Sequence, residues 1–166
     1  MNDIFVARQP IFDVRQNVVG YELLYRADGS SDAASGASTR KMSASVIVDG
    51  VLGVGLDLLT EGQTAFINLS EQMIMEGAAE LLDPQQVVIE LLETVKPTGP
   101  VIAACRGLRE RGYRLALDDF VYDEAYEPLL KLVDIVKVDV IERSGDMAHT
   151  LKCLRPFDVK LLAEKV

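Results

Sequence analysis

At 166 residues, 49% hydrophobic and 26% charged, the chain is long enough to bury a sizeable core and too apolar for intrinsic disorder. Its 26 acidic against 17 basic residues, a formal charge of −9, argue against a nucleic-acid backbone or an anionic membrane as the main partner. The apolar runs are interrupted by Asp and Gly, as in VIVDGVLGVGLDLL, and the N-terminus carries no basic segment followed by an apolar one, so neither a membrane span nor a signal peptide is expected.

In chain order, residues 3–12 (DIFVARQPIF) and 17–26 (NVVGYELLYR) read as strands around a DVRQ turn. The small and polar residues 27–39 read as a loop, and residues 40–59 have helical periodicity. Five further strands are expected at 64–70 (TAFINLS), 86–93 (QVVIELLE), 113–120 (YRLALDDF), 133–141 (VDIVKVDVI) and 159–166 (VKLLAEKV). Between them lie four amphipathic runs, EQMIMEGAAELL, GPVIAACRGLRERG, EAYEPLLKL and GDMAHTLKCLRPF. Apolar strands alternating with helices indicate a parallel sheet covered by helices, in one domain over 1–166. VKPTGP and RSGD are turns, not linkers. Cys105 and Cys153 stand singly in helical runs, without CxxC spacing, and read as buried, reduced thiols of a cytoplasmic protein.

Polar residues fall at the ends of these strands: Glu22, Asn68, Glu90, Asp118 with Asp119, Lys137 with Asp139, and Glu164. In a parallel barrel the C-terminal strand ends share one face, where such folds place their chemistry. On a single strand a solvated end or an ion pair explains a carboxylate; on six in succession a common site explains them better. Unpaired carboxylates gathered there would repel one another, and hard divalent cations relieve that repulsion. Oxygen ligands suit Mg²⁺ or Mn²⁺ over zinc, and adjacent carboxylates suit a two-metal site of the kind that hydrolyses phosphate esters. Asp139 is expected to pair with Lys137, and His149 to lie on a solvated helix face.

The run ARQPIFDVRQNVVGYELLYR resembles the opening of the EAL domain family, metal-dependent phosphodiesterases and receptors for cyclic di-GMP, with Glu22-Leu23-Leu24 at the namesake position. FINLS, VIELLE, LALDDF, DIVKVDV and LLAEKV follow in the family's order, so the resemblance spans nearly the whole chain. It implies a TIM-type (β/α) barrel. It further implies that Glu22, Asn68, Glu90 and Asp118 ligate metal, that Asp119 reaches a second ion, and that Lys137 orients the attacking water. Glu164 would complete the metal site or assist proton transfer. Gln9 and Arg26 match positions that contact the dinucleotide, although Arg26 reads equally well as a surface arginine in a salt bridge. Glu93 matches the glutamate that anchors the loop after the Asp pair.

Two features depart from that pattern. Active relatives follow Asp-Asp-Phe with a Gly-Thr-Gly-Tyr-Ser-Ser type loop, whereas this chain has Val121-Tyr122-Asp123-Glu124-Ala125-Tyr126, a stretch most similar to EAL domains joined to an HDOD domain. No HDOD domain is expected within residues 1–166. The chain also stops after LLAEKV, before the family's last strand and helix, so an incomplete barrel is expected, its bare edge paired with a second copy or a protein partner. The expectation is a cyclic di-GMP signalling domain that binds its ligand weakly and hydrolyses it slowly or not at all; the alternative is an active phosphodiesterase yielding the linear dinucleotide.

Overall fold

A computed structural model describes residues 4–27, 55–141 and 147–165. The expected loop at 27–39, most of the helix at 40–59 and the RSGD turn lie outside the described residues. Seven strands form one sheet in chain order: β1 (Ile4–Phe12), β2 (Val18–Ala27), β3 (Thr64–Leu69), β4 (Val87–Leu91), β5 (Arg114–Leu117), β6 (Ile135–Asp139) and β7 (Lys160–Glu164). β1 runs antiparallel to β2 and every later pair is parallel. The β1–β2 turn is closed by Asp13, whose carboxylate accepts from the side chain and backbone of Asn17 and from the backbone of Arg15. Those bonds lower its pKa.

The helices are α1 (Leu56–Thr60), α2 (Glu71–Met75), α3 (Gly99–Glu110), α4 (Glu127–Leu130) and α5 (Met147–Leu154). Two are shorter than the sequence pattern suggests. Gly77, at φ 76°, ends the run after α2, and a 3₁₀ turn takes up Ala78–Leu81. Pro128 sits in the first turn of α4, so the preceding Glu124–Tyr126 forms a separate 3₁₀ turn. In α3, the longest helix among the described residues, Val101, Cys105 and Leu108 recur at helical spacing and are buried against the sheet.

The two-residue period of each strand divides its side chains between two cores. Leu23, Ile67, Ile89, Leu115, Val136 and Val138 face outward into the core shared with the helices. Ile11, Phe66, Val88 and Ala116 form a second, smaller core on the other face, with Ile135 and Leu162 packed against it. Gly20 makes room for this inner layer, because a Cβ there would stand 2.8 Å from both the Phe66 ring and the Thr64 carbonyl oxygen. The sheet is curled. Four strand spacings separate β2 from β6, about 19 Å in a flat sheet and beyond the combined reach of a lysine and a glutamate, yet Lys137 Nζ stands 3.1 Å from Glu22 Oε2.

Candidate functional site

The inner apolar core is the floor of the site. Two residues further along each strand, on the same face, the side chain becomes polar: Gly20 gives way to Glu22, Phe66 to Asn68, Val88 to Glu90, Ala116 to Asp118, Ile135 to Lys137 and Leu162 to Glu164. Strand register brings Asn68 beside Glu90, and Gln9 beside Glu22. The polar residues that end successive strands in the sequence therefore meet in space.

Lys137 is at their centre. Its side chain is 2% exposed, and its ammonium lies 2.8 Å from Asp118 Oδ1, 2.8 Å from Glu164 Oε1, 3.0 Å from Glu90 Oε1 and 3.1 Å from Glu22 Oε2. Burial disfavours its charge, but Glu90, Asp118 and Glu22 outweigh burial and push its pKa up, so it stays an ammonium. Glu90 is wholly buried, and burial, reinforced by Glu22 and Asp118 against the pull of Lys137, raises its pKa to about 8. Burial also raises the pKa of Glu164, with Lys137 acting in the opposite direction.

Asn68 Nδ2 donates 2.8 Å to Glu22 Oε1, which fixes the amide and leaves Asn68 Oδ1 buried without a donor. Glu90 Oε2 and Asp119 Oδ1 are likewise buried with no hydrogen bond, while Glu90 Oε1 has the Lys137 ammonium at 3.0 Å. Buried acceptors of this kind cost free energy unless something electropositive meets them. A hard divalent cation is such a partner, and the oxygen-only donor set fits Mg²⁺ or Mn²⁺. Among the described residues no three carboxylates, histidines or cysteines are placed so that they could by themselves hold a metal ion. Four carboxylates converge instead on the Lys137 ammonium.

A second pairing lies at the rim. Lys165 bonds to Asp139, which is fully buried and also accepts from the backbone N–H of Ile141, and it stands 3.9 Å from Asp119 Oδ2. Asp119 adopts φ 44°, a left-handed conformation that Asp tolerates better than most residues. The Asp139–Lys137 pairing expected from sequence does not form: Lys137 is engaged by carboxylates from β2, β4, β7 and the end of β5, and Asp139 by Lys165.

No protein-family model matches the chain. Among curated proteins it is 34% identical to the uncharacterized protein YuxH of Bacillus subtilis, across 98% of this chain and 41% of that protein. It is 37% identical to the cyclic di-GMP phosphodiesterase CdgJ of Vibrio cholerae, across 89% of this chain and 34% of that protein. The chain thus spans about two-fifths and one-third of the length of these relatives. Among solved structures, the Bacillus subtilis YkuI protein, which has an EAL domain and was crystallised with cyclic di-GMP and calcium, superposes with a TM-score of 0.71 at 20% identity, over 99% of this chain and 49% of that one. The EAL domain of Mycobacterium smegmatis DcpA gives 0.65 at 21% identity, over 97% and 80%. The chain has the fold of these EAL domains.

Within this fold Glu22, Asn68, Glu90, Asp118, Lys137 and Glu164 form one connected polar cluster, with Asp119 beside it on the rim. Gln9 is exposed at the register of Glu22. Arg26 pairs with Phe5 in the β1–β2 ladder, and its side chain lies outside the described part of the structure. Glu93 is exposed in the turn after β4, with no hydrogen bond to residues 121–126. That loop is held by bonds that sequence reasoning missed: Tyr126 Oη donates to the Val95 carbonyl (3.0 Å), Tyr122 Oη to Glu127 (3.0 Å), and Asp123 caps the Ala125 N–H (2.9 Å). Phe120 and Tyr126 also pack edge to face. The signal available in sequence was two tyrosines where active relatives have small residues. His149 is exposed on α5, as expected; both cysteines are free, Cys105 buried as expected but Cys153 partly exposed, near the end of α5. No helix among the described residues is long and apolar enough to cross a membrane.

Proposed function

We propose that this domain is a cyclic di-GMP signalling module, with Mg²⁺ or Mn²⁺ held at the strand ends of an EAL-type (β/α) barrel, and that its phosphodiesterase activity is weak or lost. The observation that carries the reading is the gathering of Glu22, Asn68, Glu90, Asp118, Lys137 and Glu164 into one cluster, buried at Glu90 and Lys137 and half-buried elsewhere, with Asn68 Oδ1 and Glu90 Oε2 left without a hydrogen bond. Glu22, Asn68, Glu90 and Asp118 would hold one ion and Asp119 would reach a second. When bound, such ions neutralise phosphodiester oxygens and make water more acidic.

The chain's own groups then divide the remaining work. Lys137, kept as an ammonium, donates to the oxygen of the attacking water and orients it. Glu164 takes the proton that water releases: its pKa is raised by burial, and its side chain remains 21% exposed, whereas Glu90 is sealed from solvent. Gln9 and Arg26 would contact the dinucleotide, a guanidinium being well matched to a phosphate.

The loop supports low turnover. Val121–Tyr126 engages its polar groups in its own fold, and Asp123 and Glu124 add negative charge where a dianionic ligand would lie. The relationship to CdgJ favours the alternative, an active phosphodiesterase. Isothermal titration with cyclic di-GMP tests the reading: weak binding that requires Mn²⁺ and disappears in Glu22→Ala is expected, and binding indifferent to both would overturn it.

A further inference from the structure

We propose that Lys137 is the site's built-in counter-cation. Its ammonium stands where the carboxylates converge, and an ion that binds there does so by drawing those carboxylates away from it. The inference rests on the metal-binding reading above and goes beyond it, because it assigns control of metal affinity to one residue.

The geometry carries the argument. Four carboxylates from separate elements each turn one oxygen to the same nitrogen, at 2.8 to 3.1 Å. Without that ammonium, four carboxyl groups would face one another with no cation between them, in a place where Glu90 is 0% and Lys137 2% exposed. Lys165 is engaged with Asp139 and lies toward Asp119 at the rim. An ammonium has three N–H groups for these four partners, and Glu90 Oε2 is left with no hydrogen bond. Glu90 Oε2 and Asn68 Oδ1 therefore remain free to receive an ion while Lys137 still holds the other carboxylates. Mg²⁺ and Mn²⁺ demand much closer oxygens than an ammonium does, at about 2.0 to 2.2 Å. The ion and the ammonium thus compete for the same carboxylates.

The test compares Lys137→Met, which preserves side-chain bulk without charge, with Lys137→Arg, which preserves the charge. Thermal melts and Mn²⁺ titrations are run on each protein and on the wild type, in EDTA and across a Mn²⁺ series. Lys137→Met is expected to melt lower than wild type in EDTA, to gain more from Mn²⁺, and to bind Mn²⁺ about tenfold tighter, since removing one partner of a buried ion pair leaves the other uncompensated. Lys137→Arg is expected to bind Mn²⁺ no tighter than wild type. If Lys137→Met is unfolded in EDTA but folds in millimolar Mn²⁺, the ion has replaced the ammonium and the proposal stands. Failure of Mn²⁺ to rescue an unfolded Lys137→Met, or a smaller Mn²⁺ response in Lys137→Met than in a responsive wild type, overturns the inference while leaving the metal reading intact. No Mn²⁺ response in any of the three proteins overturns the metal reading and the inference with it.

Discussion

Gly20→Ala isolates the packing that supports the site. Gly20 is not in the left-handed region, so alanine is permitted by the backbone and the substitution tests space alone. The new Cβ would meet the Phe66 ring and the Thr64 carbonyl at 2.8 Å, closer than real Cβ atoms come, and only the ring can move. Overpacking of this kind costs about 1 to 3 kcal/mol, and the entropic gain of replacing glycine returns about 0.4 to 1 kcal/mol. The net loss, about 1 to 2 kcal/mol, corresponds to a fall in Tm of roughly 4 °C for a domain of this size. Because Phe66 lies one inward-facing step below Asn68, its displacement should also weaken Mn²⁺ binding. Urea denaturation with linear extrapolation measures the first effect and Mn²⁺-dependent melting the second. Adding Phe66→Leu to Gly20→Ala should recover part of both losses. A Gly20→Ala protein as stable as wild type, with unchanged Mn²⁺ response, would refute the claim that the inner layer is packed tightly enough to position the polar cluster.

Three further outcomes are expected. In metal-free protein the folded state keeps a proton on Glu90 up to about pH 8, whereas the unfolded chain releases it near 4.3; stability from this group is present at low pH and lost as pH rises through that window, and Glu90→Gln should flatten the loss in a urea series from pH 5 to 9. Cys153, partly exposed, should react with a thiol reagent in the native protein, while Cys105, fully buried and pushed up to about 11, should react only on unfolding. Tyr126→Phe removes the 3.0 Å bond to the Val95 carbonyl, and should cost about 1 kcal/mol and speed amide exchange across residues 121–126.

Much of this was legible in the sequence because strands impose a period of two. Apolar residues at 66, 88, 116, 135 and 162 followed two positions later by polar ones at 68, 90, 118, 137 and 164 can be counted directly, and all seven strands lie within the runs expected for them, bar an added residue at the end of β2. What escaped was set by distance in sequence. Lys137 and Asp139 are two residues apart on one face, so a local pairing was the natural expectation. The curl of the sheet brings Glu22, 115 residues away, to Lys137, and the last strand brings Lys165 to Asp139. The shortness of α2 and α4 followed from Gly77 and Pro128, breakers that apolar periodicity alone does not register. The ordering of the 121–126 loop depends on Val95, in a different turn altogether.

The central claim is that the metal-site residues are assembled while the loop after Asp118-Asp119 limits catalysis. It is tested most directly by the rate at which linear dinucleotide appears from cyclic di-GMP in saturating Mn²⁺, measured for wild type and for a protein whose residues 121–126 are replaced by Gly-Thr-Gly-Tyr-Ser-Ser. Misplacement of about 1 Å can cost roughly a hundredfold in rate, so slow or undetectable turnover in wild type, a clear rise on loop replacement and its abolition by Glu22→Ala in that background are predicted. Rapid hydrolysis by the unaltered chain would contradict the account.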